Sequence, residues 1–235
     1  MASEFLNYPL AHAVGWSVVT IALYWLSKKL YTKWPRWWLM PLIIAPVLVG
    51  TVILALHSNY REYIRGTHWL ITVLGPVTVA FAIPIYESRG LIRSHWPVLL
   101  VGMVVGSATA ILSTWGLSSL LHLDDQLRLS LLPRSLSTPF AMEVSTDIGG
   151  APELTTVFVI LTGVFCSLRG DLLLAQVGFA SAMARGALFG MGAHATGTAR
   201  AHQIGHVEGT ISGLIMVLVG LMNIVLAPLI SHLIS

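Results

Sequence analysis

The chain alternates apolar runs of about twenty residues with short polar links, and that spacing restricts it to one kind of environment. A helix rises about 1.5 Å per residue, so about 20 residues cross the ~30 Å hydrocarbon core of a bilayer. Such runs fall at roughly 9–26, 37–56, 69–86, 96–121, 154–168, 172–191 and 209–230. Only 10% of the 235 residues are charged and 55% are hydrophobic, against about 25% charged in a soluble domain. The expected fold is an all-α polytopic membrane protein of seven or eight membrane segments, with residues 1–235 forming a single transmembrane domain.

Charge sets the expected orientation. Lys28, Lys29, Lys33 and Arg36 fill the first link, beside Trp34, Trp37 and Trp38. Basic links stay cytoplasmic and aromatic rings collect at the interfaces, which predicts an external N-terminus. Glu87, Arg89, Arg93 and His95 then form a second cytoplasmic link, and Asp124, Asp125 and Arg128 an external one. Glu4, with no Lys or Arg before the first apolar run, argues against a cleaved signal peptide. The net charge of +3 is accounted for by these links, so nucleic acid is not an expected partner. The one cysteine, Cys166, excludes an internal disulfide. Gly102-x-x-x-Gly106 reads as a seam for close helix packing.

Not every run is an ordinary span. The third contains Gly75-Pro76 and Pro84, and proline removes a helix hydrogen bond. Residues 132–153 carry Arg134, Glu143, Asp147, Glu153, three prolines and Gly149-Gly150. Such a segment survives in a bilayer only where protein or a watery cavity surrounds its backbone. Thr138 before Pro139 is pushed out of the helical region, and Pro139 suits a helix start. Ser137 or Thr138 can cap that start. Gly149-Gly150 ends the short helix, and Pro152 opens the next. Two half-helix N-termini, at 138–139 and 151–152, favour a small anion, and the Arg134 guanidinium adds a fork suited to a carboxylate. The polar groups placed around this ligand are Arg134, Ser135, Ser137, Thr138, Gly149, Gly150, Thr155 and Thr156, with Thr78 from the third run. Glu143 and Asp147 share a helix face. They are candidates for coupling to a proton or, alternatively, a sodium ion; ion pairing with Arg134, Arg185 or Arg200, or simple solvation at a membrane face, is the competing account. Whether this stretch crosses the membrane or dips in and returns is open at this level.

A second unusual segment, 192–205, holds His194, Thr196, Thr198 and Arg200 among glycines. It is the expected counterpart across the site, with His194 either relaying a proton or serving as a hydrogen-bonded structural residue. The run 154–168 is expected to end at Arg169-Gly170-Asp171, and the next to start at Leu172. Val77–Ile83 resembles Leu136–Met142, an internal repeat for which chance likeness of small apolar segments is the alternative. No phosphate loop, serine-hydrolase elbow or zinc-protease motif occurs. Hence no catalytic residue, metal ligand or organic cofactor is assigned. An enzyme is not expected.

Leu132-Pro-Arg-Ser-Leu-Ser-Thr-Pro-Phe-Ala-Met-Glu-Val-Ser145, Ile148-Gly-Gly-Ala-Pro-Glu153 and Gly192-Ala-His-Ala-Thr-Gly-Thr-Ala-Arg200 resemble the CidB/LrgB family of bacterial inner-membrane proteins. Leu74–Tyr86 is similar to that family's earlier segment. The resemblance implies either of two activities. One is secondary transport of small monocarboxylates of the pyruvate, glycolate or glycerate class. The other is a holin- or antiholin-like modulation of murein hydrolase activity and cell lysis. It also implies a separate small CidA/LrgA-type membrane partner and a homo-oligomer. The polar broken segments favour transport, because a lesion-forming protein has no need of them.

Overall fold

The structure is a computed structural model that describes residues 10–34, 36–80, 82–178 and 181–234. Within these it is helical, with no strand among the described residues. The chain divides into two compact units, Met1–Pro76 and Val77–Ser235. Glu4, the Pro9 at which the first run begins, and Phe81 of the repeat lie outside the described residues.

In the first unit, α1 (Leu10–Lys33) packs against α2 (Pro41–Ala55) and α3 (Tyr60–Thr72). Polar groups stitch α1 to α3. Trp69 Nε1 donates to Ser17 Oγ at 2.7 Å, and Ser17 Oγ donates to the Gly66 carbonyl at 3.1 Å. Gly66 has no side chain because Trp16 stands there, its ring edge-on to Tyr63. Around the first link, Lys29, Lys33 and Arg36 lie over Trp25, Trp34 and Trp38. That arrangement suits a belt at the membrane–water boundary.

The proline-bearing third run has a turn at Val73, between α3 and α4 (Leu74–Ala80), and α5 (Ala82–Glu87) follows on the far side of Phe81, which lies outside the described residues. The second unit continues with α6 (Arg89–Leu120), α7 (Asp125–Leu131) and a 3-10 turn, Leu132–Ser135. After these come α8 (Thr138–Asp147), α9 (Pro152–Val177), α10 (Ala182–Ile204) and α11 (His206–Ile234). Four stretches are long and apolar enough to cross a membrane: Tyr60–Glu87, Arg89–Leu120, Pro152–Val177 and His206–His232.

Three sequence expectations need correction. The helix beginning at Pro152 does not end at Arg169-Gly170-Asp171 but runs on to Val177. Gly170 lies inside it because the Phe189 ring occupies the space a side chain would take. The true stop is Gly178, whose φ of 64° closes the helix in the left-handed conformation, so the next helix starts at Ala182 rather than Leu172. Ser181 caps that start, accepting from the Ala184 N–H at 3.1 Å. Finally, only half of the Gly102/Gly106 seam is used within the described residues. Gly106 accepts the Met191 side chain, whereas Gly102 faces open space.

The core of the second unit is apolar and central. Phe140 and Leu214 are fully buried, and Leu132, Leu136, Val144, Val159 and Val217 pack with Phe140. α10 and α8 pack along α11, and α9 packs on the far side of them, against α8 and α10.

Candidate functional site: two hairpins that meet

α10 is not one straight rod. His194 has φ 39° and ψ −122°, a backbone setting that glycine tolerates and other residues rarely adopt. Its neighbours show what the chain does there. Gly186 lies against the Glu208 carbonyl and Ile211, and Gly190 against Ser212, so residues 182–193 run parallel to α11. Beyond His194 the direction reverses. Thr198 Oγ1 is 3.0 Å from the same Ser212 hydroxyl, and His202 faces Gly209. Gly197 also abuts the Phe189 carbonyl and Ala193, which a continuous helix would keep well apart. α10 is therefore a hairpin folded double at His194. Each arm is about 15–18 Å long at ~1.5 Å per residue, roughly half a hydrocarbon core.

Residues 125–147 make the other hairpin, the first of the two in chain order. α7 and the 3-10 turn lead in, Leu136 and Ser137 are extended (ψ 163° and 149°), and α8 leads out. Its base is a knot of hydroxyls. Thr155 Oγ1 is 2.9 Å from the Ser130 carbonyl and 2.7 Å from Ser145 Oγ. Ser130 Oγ accepts from the Ala151 N–H at 2.8 Å. Gly150 is needed there, since an added Cβ would stand 2.5 Å from Ser145 Oγ. The stretch 132–153 thus lies across a fold-back of the chain, with Ser130 and Ser145 brought together at its base.

The two apices share a level. Phe140 packs on Gly220, and Asp147 lies beside Pro228, Ser231 and His232, so α8 runs parallel to α11. Three residues before Phe140, Ser137 falls near Val217. On the antiparallel second arm of α10, His194 lies four residues before Thr198 and falls near Met216. α9 gives the same answer independently. Pairing Ser145 with Thr155 sets Ser137 level with Gly163. A Cβ added to that glycine would stand 2.6 Å from His194 Cε1 and from Thr196 Oγ1. The hairpins therefore enter from opposite ends and stop at one height, midway along α9 and α11.

At that height the polar groups are few. Arg134 Nε donates to Thr114 Oγ1 at 3.0 Å, and the guanidinium lies within electrostatic range of Cys166, one turn along α9 from Gly163. Its turn packs against α6, α9 and α10. Ser137 occupies the N-cap position of α8, yet its hydroxyl caps nothing; Oγ is buried without a hydrogen-bond partner. The expected cap by Ser137 is thus absent. His194 Nε2 faces the Val159 carbonyl at 3.1 Å.

Of the residues singled out in the sequence, Arg134, Ser135, Ser137, Thr138, His194 and Thr196 collect near the apices. Thr198 bonds to the His194 carbonyl at 2.9 Å as well as reaching Ser212. Gly149, Gly150, Thr155 and Thr156 lie instead at the base of the first hairpin, where Thr156 Oγ1 donates to the Pro152 carbonyl at 3.0 Å. Hence the helix start at Pro152 does not face the apices; the second inward-facing start belongs to the arm after His194. Thr78 is half-buried on α4. Glu143 and Asp147 are both exposed on α8. Arg185 pairs with Glu208, not with them, at 2.6 Å. Sequence reasoning missed Thr114, Val159 and Gly163. Only Gly163 left a trace, as a lone glycine within an apolar run.

The LrgB-like family model matches residues 20–233. The chain is 38% identical to the Bacillus subtilis "uncharacterized protein YwbG" over 210 residues, 89% of this chain and 93% of that one. It is 31% identical to the holin-like protein CidB of Staphylococcus epidermidis over 92% of this chain and 94% of that one. For CidB of Staphylococcus aureus the figures are 29%, 90% and 92%. No solved structure matches. A membrane-type helical chain matched over nearly its whole length in this way belongs to the LrgB-like family.

Proposed function

We propose that this chain works in the bacterial cytoplasmic membrane as a holin- or antiholin-like protein of the CidB kind, modulating murein hydrolase activity and lysis. The observation that carries this is the likeness to proteins named holin-like protein CidB, which covers 92% of the chain. Long apolar faces suit association in lipid: Val101, Val105 and Leu112 on α6, and Val157, Leu161 and Phe165 on α9, are exposed. In this reading the chain assembles with copies of itself and with a small CidA/LrgA-type membrane protein. Residues 1–235 act as one LrgB-like domain whose N-terminus is outside.

A second reading has its own support. Interrupted helices near the bilayer midplane are how many secondary transporters build their sites, and two opposed half-length hairpins fit that plan. The substrate would be a small monocarboxylate of the pyruvate, glycolate or glycerate class. Glu143 and Asp147 would couple its movement to a proton or a sodium ion. In this reading α1, α2 and the two hairpins join the four long apolar stretches as membrane segments. No enzymatic step enters either reading.

Proteoliposomes separate the two. The first predicts leakage of an entrapped dye that does not depend on any added organic acid and that changes when the small partner is co-reconstituted. Sealed vesicles showing saturable uptake of labelled pyruvate would replace it with the second.

A further inference from the structure

We propose that the meeting point of the two hairpins binds a small oxyanion, held by Arg134, Ser137 Oγ and the inward-facing N-termini of α8 and of the arm 195–204. This deepens the transport reading and rests on the same hairpins, but binding can be measured without flux.

Four observations converge. Arg134 is half-buried beside α9 and makes one hydrogen bond, to a neutral threonine. No carboxylate pairs with it among the described residues: Glu208 is engaged with Arg185, and Glu143 and Asp147 are exposed on α8. A lone cation inside a membrane bundle is costly and normally finds an anion. Second, Ser137 is 3% exposed and its Oγ lacks a partner; a buried hydroxyl left unpaired costs about 1–3 kcal/mol. It belongs to the start of α8, a helix of 10 residues. Third, both helices that begin at the apices direct the positive ends of their dipoles inward. Fourth, the positions agree: the registers along α9 and α11 put Ser137 level with His194, and the Arg134 turn touches α10. One cation, one hydroxyl and two helix starts suit a single charged oxygen-bearing headgroup. Carboxylate, phosphate and sulfate share that chemistry.

The test uses the full chain in uncharged detergent, titrated with sodium acetate, phosphate or sulfate at constant ionic strength against chloride. At least one oxyanion should raise the melting temperature saturably, and the responding anion identifies the headgroup. Added phosphatidylglycerol should compete with that anion if a lipid phosphate is the occupant, and should leave it untouched if the ligand is free in solution. Either result supports the site. Ser137→Ala should melt at or above the parent temperature without anion, having lost an unpaired hydroxyl, yet bind at least fivefold more weakly. Arg134→Lys should weaken binding similarly, while Glu153→Gln, on the exposed first turn of α9, should not. Anion titrations indistinguishable from chloride would overturn the proposal. So would a Ser137→Ala protein that binds as the parent does, or one that melts lower without anion, since the hydroxyl would then be structural. Binding without uptake in vesicles would leave the site standing and remove the transport reading alone.

Discussion

The two hairpins of the second unit reach the same depth by different means. The first is made by chain chemistry. Pro133 and Pro139 break it on either side of an extended pair, and hydroxyls of Ser130, Ser145 and Thr155 tie its base. The second has no proline. It turns at one residue, His194, and is held by fit: Gly186, Gly190 and Gly197 each press a backbone against a neighbour, with the Arg185–Glu208 pair at the base. A fold-back can thus be specified by what the backbone cannot do, or by what the neighbours leave room for. The first kind is visible in a sequence and the second is not.

If close fit is the main tie of the second hairpin, a small added volume should undo it. A Cβ on Gly190 would collide with the backbone of Ser212, which has nowhere to go, whereas Gly192 has open space around it. Overpacking commonly costs about 1–3 kcal/mol and occasionally more, and backbone collisions belong at the top of that range. Gly190→Val should therefore lose about 3 kcal/mol or the folded state altogether, while Gly192→Val stays within about 1 kcal/mol. Thermal unfolding of the purified proteins measures both. Equal effects would mean that the hairpin is not held by this contact.

The first hairpin should fail through its hydroxyls instead. Thr155 is fully buried, and its Oγ1 meets Ser130, Ser145 and Ala151. Thr155→Val keeps the shape and deletes the hydrogen bonds, leaving the Ser130 carbonyl and Ser145 Oγ short of a partner. A loss of about 2 kcal/mol follows from the usual cost of buried unpaired groups. It would be read as a lower unfolding midpoint. An unchanged midpoint would make the knot dispensable and leave the prolines as the sole cause of the first hairpin.

This contrast explains what the sequence could disclose. Apolar length predicted helices and a membrane, because about 20 apolar residues have few other uses. Proline and Gly149-Gly150 mark the ends of the short helix, which does start at Thr138, but they do not tell a fold-back from a crossing. Arg169-Gly170-Asp171 misled, since it looks like a link. Gly170 is there for the Phe189 ring, a contact nineteen residues away along the chain that no local pattern reports. The fold of α10 was hidden for the same reason, because its glycines answer to Ser212 and Glu208 rather than to each other. At the site, Arg134 and His194 stood out as polar groups in an apolar setting. Thr114 and Val159, which position them, are ordinary members of apolar helices.

His194 decides how far the contrast can be pushed, and its predicted effect is the smallest. Two costs oppose each other at that residue. Its φ of 39° is strained for any residue with a Cβ, at about 1–3 kcal/mol, while its Nε2 bond to the Val159 carbonyl returns about 0.5–1.5 kcal/mol. His194→Gly removes both and should leave stability within about 1 kcal/mol of the parent. His194→Ala loses the same bond but keeps the strain, so it should fall about 1–2 kcal/mol below the glycine variant. The order of the two unfolding midpoints is the measurement. Glycine above alanine means that the turn is a backbone demand which histidine meets at a cost, so the imidazole is retained for something other than stability. Glycine at or below alanine, with both well below the parent, means that the ring itself holds the apex, and the second hairpin is then tied by side-chain chemistry as the first is.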